Sequence, residues 1–267
     1  MTIPTGTALI TGASTGLGAV YADRLARRGR DLILVARNGV QMEELAAKLR
    51  AETGARVDVI AADLTRGDDV TRIEQRLLDD AAITLFVNNA GMSLNGGTLE
   101  NSAREIETIV ALNITAAARL AIAAGKAFGA RGKGAIVNIA SVLALAPEMY
   151  EGVYSGSKAF LLNLSHALAA NGREQGFHVQ AVLPGATRTE IWERSGKDIE
   201  AFPAEMIMSA GDLVDAALAG LDRGEEVTIP PLADEAQWKD YLAARLAMGP
   251  NLSKRDVAER YRATEAV

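Results

Sequence analysis

The stretch GVYSGSK places Tyr154 and Lys158 four residues apart, so on a helix the phenol and the ammonium share one face. A free phenol has a pKa near 10, and to work as an acid or base near neutrality it needs that value lowered by roughly two or three. A unit positive charge about 6 Å away, at an effective dielectric of about 20, supplies roughly 3 kcal/mol, which lowers it by about two. Lys158 is placed to do this. A second stretch, TGASTGLG at residues 11 to 18, carries glycines at 12, 16 and 18. The spacing is not G-x-G-x-x-G, but the physics is shared: residues without side chains admit a pyrophosphate to the backbone, and a helix N-terminus adds amide donors and positive dipole.

Bringing two such sites together requires a scaffold, and the apolar pattern supplies one. Short apolar runs recur at Ala8 to Thr11, Leu32 to Ala36, Val57 to Ala61, Leu85 to Asn88, Ala135 to Ala140 and Val179 to Leu183. Between them helical periodicity predicts helices near 16 to 29, 40 to 53, 66 to 80, 101 to 128 and 152 to 175. Strands alternating with helices form a parallel sheet covered on both faces. The expected fold is therefore α/β, a doubly wound parallel sheet of Rossmann type. No linker or repeat divides the chain, so residues 1 to 267 are expected to form one domain. Residues 188 to 209 carry no strand signal and are expected to form a lid; residues 231 to 267 are expected to form a tail of two helices, the second near Ser253 and Asp256.

Composition excludes several classes of function. The chain has no cysteine and only two histidines, His166 and His178, which leaves no disulfide framework, no thiolate nucleophile and no evident metal site. Both histidines read as structural. A net charge of −6 without basic blocks argues against nucleic-acid binding. The N-terminus has no cationic segment before its apolar run, and Ile114 to Phe128, interrupted by Arg119 and Lys126, reads as too short and too polar for a membrane span. A cytoplasmic location is expected. Glu43 with Glu44, and Asp68 with Asp69, read as solvated pairs rather than a hydrolytic acid and base.

Taken in order, TGASTGLG, the NNAG at residues 88 to 91, Asn113, Ser141 and the Tyr154/Lys158 pair resemble the short-chain dehydrogenase/reductase family over about residues 5 to 190. The resemblance implies a Rossmann-type fold, a nicotinamide cofactor and hydride transfer between a carbonyl and an alcohol. It implies that Tyr154 donates a proton to the carbonyl oxygen and that Ser141 hydrogen-bonds the substrate oxygen. Lys158 would tune the tyrosine and hold the nicotinamide ribose, with Asn113 supporting a relay water. For the cofactor it implies contacts from Gly12, Ser14, Thr15, Gly16, Leu17 and Gly18. Further along it implies contacts from Asp63 and Leu64, Asn89 to Gly91 (Asn89, Ala90, Gly91), and Pro184, Gly185, Thr187 and Thr189.

Cofactor choice is read at the end of the second strand, where Asp or Glu would accept from the 2′-hydroxyl of NAD and arginine would accommodate the 2′-phosphate of NADP. The chain has Ala36 and Arg37 there, and Asp31 lies at the wrong end of the strand. NADP(H) is therefore expected over NAD(H), with Arg37 as the phosphate partner. Val142, Leu143, Leu145, Met149, Trp192, Met206 and Met208 would give a pocket with apolar, deformable walls. The expected substrate is a small, apolar ketone, aldehyde or alcohol. The resemblance also implies a homodimer or homotetramer through the two long helices, whose alanine-rich faces permit close approach. The competing reading is a dinucleotide-binding sensor or scaffold without turnover, against which the intact Ser141, Tyr154 and Lys158 argue. A sugar-nucleotide epimerase is disfavoured by the glycine spacing and the short C-terminal portion.

Overall fold

A computed structural model describes residues 4–196 and 198–262; Lys197 of the expected lid and residues 263–267 of the expected tail lie outside the described residues. Through Pro231 the chain forms one compact unit. Its strands are β1 (Thr7–Thr11), β2 (Leu32–Ala36), β3 (Val57–Ala61), β4 (Ile83–Asn88), β5 (Ala135–Ile139), β6 (His178–Val182), and three short strands given below. The helices between and after them are α1 (Gly16–Arg27), α2 (Gly39–Thr53), α3 (Gly67–Asp79), α4 (Ala103–Ile109), α5 (Ala117–Arg131), α6 (Gly152–Gln175) and the short α7 (Ile191–Arg194) in the lid. β1, β2, β4, β5 and β6 are buried along their whole length, as expected of parallel strands covered on both faces.

The six long strands are joined by β9 (Val227–Thr228) in a parallel sheet of order β3-β2-β1-β4-β5-β6-β9. The order reverses between β1 and β4, so their carboxyl ends open a crevice, the place where ligands bind on open α/β sheets. On one face Tyr21 and Leu25 of α1, Met42 and Leu49 of α2, and Leu213 and Leu218 of α8 (Ala210–Arg223) bury the sheet. On the other, Ile73 of α3, Leu120 and Phe128 of α5 and Ala169 of α6 do the same.

Three short strands, helices α7 and α8, and a π-helical segment escaped the sequence reading. β7 (Thr187–Arg188) pairs with β8 (Met208–Ser209), closing the base of the lid, and β8 leads straight into α8. With two residues each, β7, β8 and β9 leave no periodicity to read. The helix expected over 101 to 128 is a rod in three parts: α4, a π-helical segment Val110–Ala116, and α5. Together Ala103–Arg131 reaches the length and apolarity of a membrane span, but half of its most apolar window is buried inside the protein, as in a core helix.

From Leu232 a second unit begins. It holds α9 (Glu235–Ala247), capped by the Asp234 carboxylate on the Ala236 amide at 2.9 Å and carrying Trp238 stacked on Tyr241 at 5.3 Å. The second expected helix does not form: single 3₁₀ turns occupy Gly249–Asn251 and Glu259–Tyr261. Leu252, Val257 and Tyr261 lie exposed, with no apolar face to bury.

Candidate active site

The crevice is built from the strand ends upward. Thr11, the last residue of β1, accepts the backbone amides of Asn89 and Ala90 on its hydroxyl, both at 3.0 Å. Asn89 answers by donating its side-chain amide to the carbonyls of Thr11 (2.9 Å) and Gly12 (3.2 Å). The NNAG segment is thus fastened to the glycine turn. Gly12 and Gly16 hold positive φ of 66° and 54°, the left-handed region that glycine adopts without strain. A methyl group on Gly18 would lie 2.2 Å from the Gly12 carbonyl oxygen, so helix α1 can close on the strand only because that position is glycine. Leu17 packs against the core.

Ser14, Thr15 and Gly16 form one wall of a cleft of about 680 Å³, and Thr189, Glu190 and Trp192 lie on the other. A backbone cradle at a helix N-terminus facing a cleft of this size fits the phosphates of a dinucleotide. Glu190 was not anticipated: a methyl built on Gly16 would sit 3.3 Å from its carboxylate.

A second cluster stands at the ends of β4 and β5 and on α6. The Asn113 side chain clamps Met92, accepting from its amide at 2.9 Å and donating to its carbonyl at 2.8 Å, and donates to the Ser157 hydroxyl at 3.1 Å. Asn113 lies in the π-helical segment, whose wider turn shifts register within the rod. Lys158, 6 % exposed, donates from Nζ to the Ile139 carbonyl at 2.9 Å. A methyl on Gly91 would lie 3.3 Å from that nitrogen and 3.4 Å from Asn113 Oδ1, so Gly91, Asn113 and Lys158 converge. Lys158 Nζ lies 5.6 Å from the centroid of the Tyr154 ring, and the Ser141 hydroxyl is near enough to the Tyr154 phenol to lower its pKa. Below the site a buried chain from Asn88 to Asn138 (2.9 Å) to Ser165 (2.9 Å) ties β4, β5 and α6 together.

The electrostatics differ from the sequence expectation. Burial pushes the Tyr154 phenol above its usual value, Tyr150 adds to the rise, and the Ser141 hydroxyl opposes it. Lys158 does not hold the phenol down, since its nitrogen is directed at Ile139 and desolvation pushes its own pKa down to about 8. Tyr154 therefore keeps its proton near neutrality, the form a proton donor needs.

The remaining expected residues are placed as follows. Arg37 is exposed just past β2, outside the lining of the cleft. Asp63 accepts from the Thr65 amide and hydroxyl; these bonds, with Arg37's charge, hold its carboxyl below the ordinary range. Leu64 is core. Pro184 is buried, Gly185 half-buried, and Thr187 donates its hydroxyl to the Gly185 carbonyl at 3.0 Å. Asp31 pairs with Arg56, away from any role in cofactor choice. His178 is buried against the Glu225 carbonyl. Of the expected pocket residues, Trp192 lines the cleft, Val142 and Leu145 pack on a small core beside β6, Met208 packs on the main core, and Met149 and Met206 are exposed.

Sequence reasoning missed two residues beside Tyr154. Glu151, 3 % exposed, caps α6 by accepting from the amides of Val153 (2.5 Å) and Tyr154 (2.6 Å). Glutamate is not a usual cap, so no pattern announced it. Tyr150 stands edge-on to Tyr154, one turn earlier in the chain, a spacing that could have flagged it. The lid is held by an Arg188–Glu200 ion pair and by the Trp192 indole donating to the Thr187 carbonyl at 2.7 Å.

The short chain dehydrogenase family model matches residues 6–200. The chain belongs to this family. Among short-chain dehydrogenases, it is 49 % identical to one from Sphingobium yanoikuyae in complex with NADPH, covering 96 % of this chain and 100 % of that one with a TM-score of 0.93. It is also similar to a bulky-bulky ketone specific alcohol dehydrogenase from Comamonas testosteroni, at 45 % identity, TM-score 0.88 and coverage of 96 % and 98 %. The 17-beta-hydroxysteroid dehydrogenase type 3 of Mus musculus is 33 % identical over 186 residues, 69 % of this chain. The short-chain dehydrogenase described here spans 61 % of that relative's length.

Proposed function

We propose that this protein is an NADPH-dependent reductase interconverting a ketone or aldehyde and the corresponding alcohol. The observation that carries the reading is the convergence of Ser141, Tyr154, Lys158 and Asn113 near the NNAG segment that is fastened to the glycine cradle. Reduced nicotinamide, when bound, supplies the hydride. Ser141 and Tyr154 direct their hydroxyls at the substrate oxygen, and Tyr154 gives it a proton. Lys158 spends only one N–H on Ile139, leaving donors for ribose hydroxyls. Asn113, fixed by Met92 and Ser157, orders a relay water next to the lysine. The site is tested by following NADPH oxidation with a panel of ketones: no turnover of any of them would overturn the reading.

Support for NADPH comes from Arg37 and from the NADPH complex of the Sphingobium relative. A charge-assisted bond of Arg37 to the 2′-phosphate is worth roughly 1.5–3 kcal/mol. Arg37→Ala is accordingly expected to weaken NADPH binding about ten- to a hundredfold and to leave NADH binding unchanged, in paired fluorescence titrations. Equal affinity of the wild type for both dinucleotides would remove Arg37 from this role.

Glu190 sets a carboxylate against Gly16, where the cofactor phosphates are expected. Glu190→Gln is expected to lower the NADPH Kd about threefold, the order of a solvent-screened repulsion at about 5 Å. Unchanged affinity would mean the carboxylate swings clear. We further place the protein in the cytoplasm as a homo-oligomer paired through the rod Ala103–Arg131 and α6, where Ile106, Ile122 and Phe160 are exposed. A fully soluble, monomeric protein in analytical ultracentrifugation would refute the pairing.

A further inference from the structure

Resting on the reductase reading of the same site, we infer that Tyr150, with Trp192 and Phe202, forms an aryl-binding wall that selects ketones bearing an aromatic substituent and fixes which face of the carbonyl is reduced. The chain has only two Trp, five Tyr and five Phe, and four of these rings form one series starting at the proton donor. Tyr154 meets Tyr150 with centroids 5.8 Å apart at 65°, Tyr150 meets Trp192 at 6.3 Å and 89°, and Trp192 meets Phe202 at 5.1 Å and 62°. All three contacts have the edge-to-face geometry that the ring quadrupole favours.

The series is braced at two points. The Tyr150 hydroxyl lies 3.2 Å from the Ser93 hydroxyl, and the Trp192 indole is bonded to the Thr187 carbonyl at 2.7 Å. Rings fixed in this way lose little entropy when a ligand packs on them. They are not consumed by the core, for Tyr150 and Trp192 stay half-buried. The turn that follows Ser141 carries the half-buried aliphatic Leu143 instead. A carbonyl whose oxygen is held by Ser141 and Tyr154 thus meets walls of two chemistries, and its aryl group is drawn to the Tyr150 side.

The test compares acetophenone with cyclohexyl methyl ketone, its saturated counterpart, in the wild type, Tyr150→Phe and Tyr150→Ala. An edge-to-face contact predicts that Tyr150→Ala raises KM for acetophenone about three- to tenfold, shifts KM for the saturated ketone less than about twofold, and lowers the enantiomeric excess of 1-phenylethanol. Tyr150→Phe keeps the ring and is expected to retain aryl preference. Tyr150→Leu, which keeps apolar bulk without a ring, replaces the alanine variant if the latter melts early. Equal effects on both ketones with an unchanged enantiomeric ratio would overturn the wall. Wild-type enzyme that reduces neither ketone, nor any other of the panel, would overturn the reductase reading, and the wall with it.

Discussion

Tyr154→Phe is expected to lower carbonyl reduction by about a hundred- to ten-thousandfold, the usual worth of a positioned general acid, while NADPH binds as before. Phenylalanine keeps the ring that packs on Tyr150 and under Lys158 and removes only the hydroxyl. The loss should therefore appear in kcat, with cofactor Kd and thermal stability close to wild type. Because burial raises the phenol, Tyr154 should stay protonated well past neutrality and impose no fall in reduction rate below pH 9. Turnover unchanged in the variant would remove Tyr154 as the donor.

Lys158→Met is expected to cut activity severely and, at the same time, to stabilise the cofactor-free protein. Lys158 is nearly fully buried, and its pKa falls from the usual 10.5 to about 8. Between these values the unfolded chain binds more protons than the folded one, so stability rises with pH from about 8 to about 10.5. Below pH 8 the cost of burying the charge is present in full, about 3 kcal/mol by linkage. Loss of the bond to Ile139 returns about 1 kcal/mol of it. Urea unfolding at pH 7 should show the methionine variant more stable by about 2 kcal/mol, with the gap closing by about pH 10.5. A variant less stable than wild type at pH 7 would show that the lysine is not desolvated. Lys158→Arg, whose charge does not titrate in this range, should retain part of the activity and lose the fall in kcat/KM that the wild type is expected to show above about pH 8.

The lysine shows where sequence reasoning reached its limit. Tyr154 and Lys158 share a helix face, and α6 runs over Gly152–Gln175 as the periodicity predicts. The sign of the tyrosine's shift did not follow from that spacing. It depends on which atoms surround each group: Lys158 reaches back to a carbonyl at the end of β5, and the phenol is enclosed by Ser141 and Tyr150. Burial and direction are properties of the packed state. The same holds for Glu151, whose capping role exists only because its side chain folds back on the helix it precedes.

What the sequence determined by itself was the alternation of strands and helices, the glycine turn and the placing of Tyr154 and Lys158 on one helix face. These are local, set by hydrophobic period, by the conformational freedom of glycine and by spacing along one helix. Tertiary structure alone decided the rest. It paired β7 with β8, added β9 to the sheet, opened the rod into a π-helix at Asn113, brought Glu190 against Gly16 and lined four aromatic rings from Tyr154 to Phe202. Each of these joins residues distant in the chain or depends on a contact of a few ångströms, and no period in a linear sequence encodes such a contact.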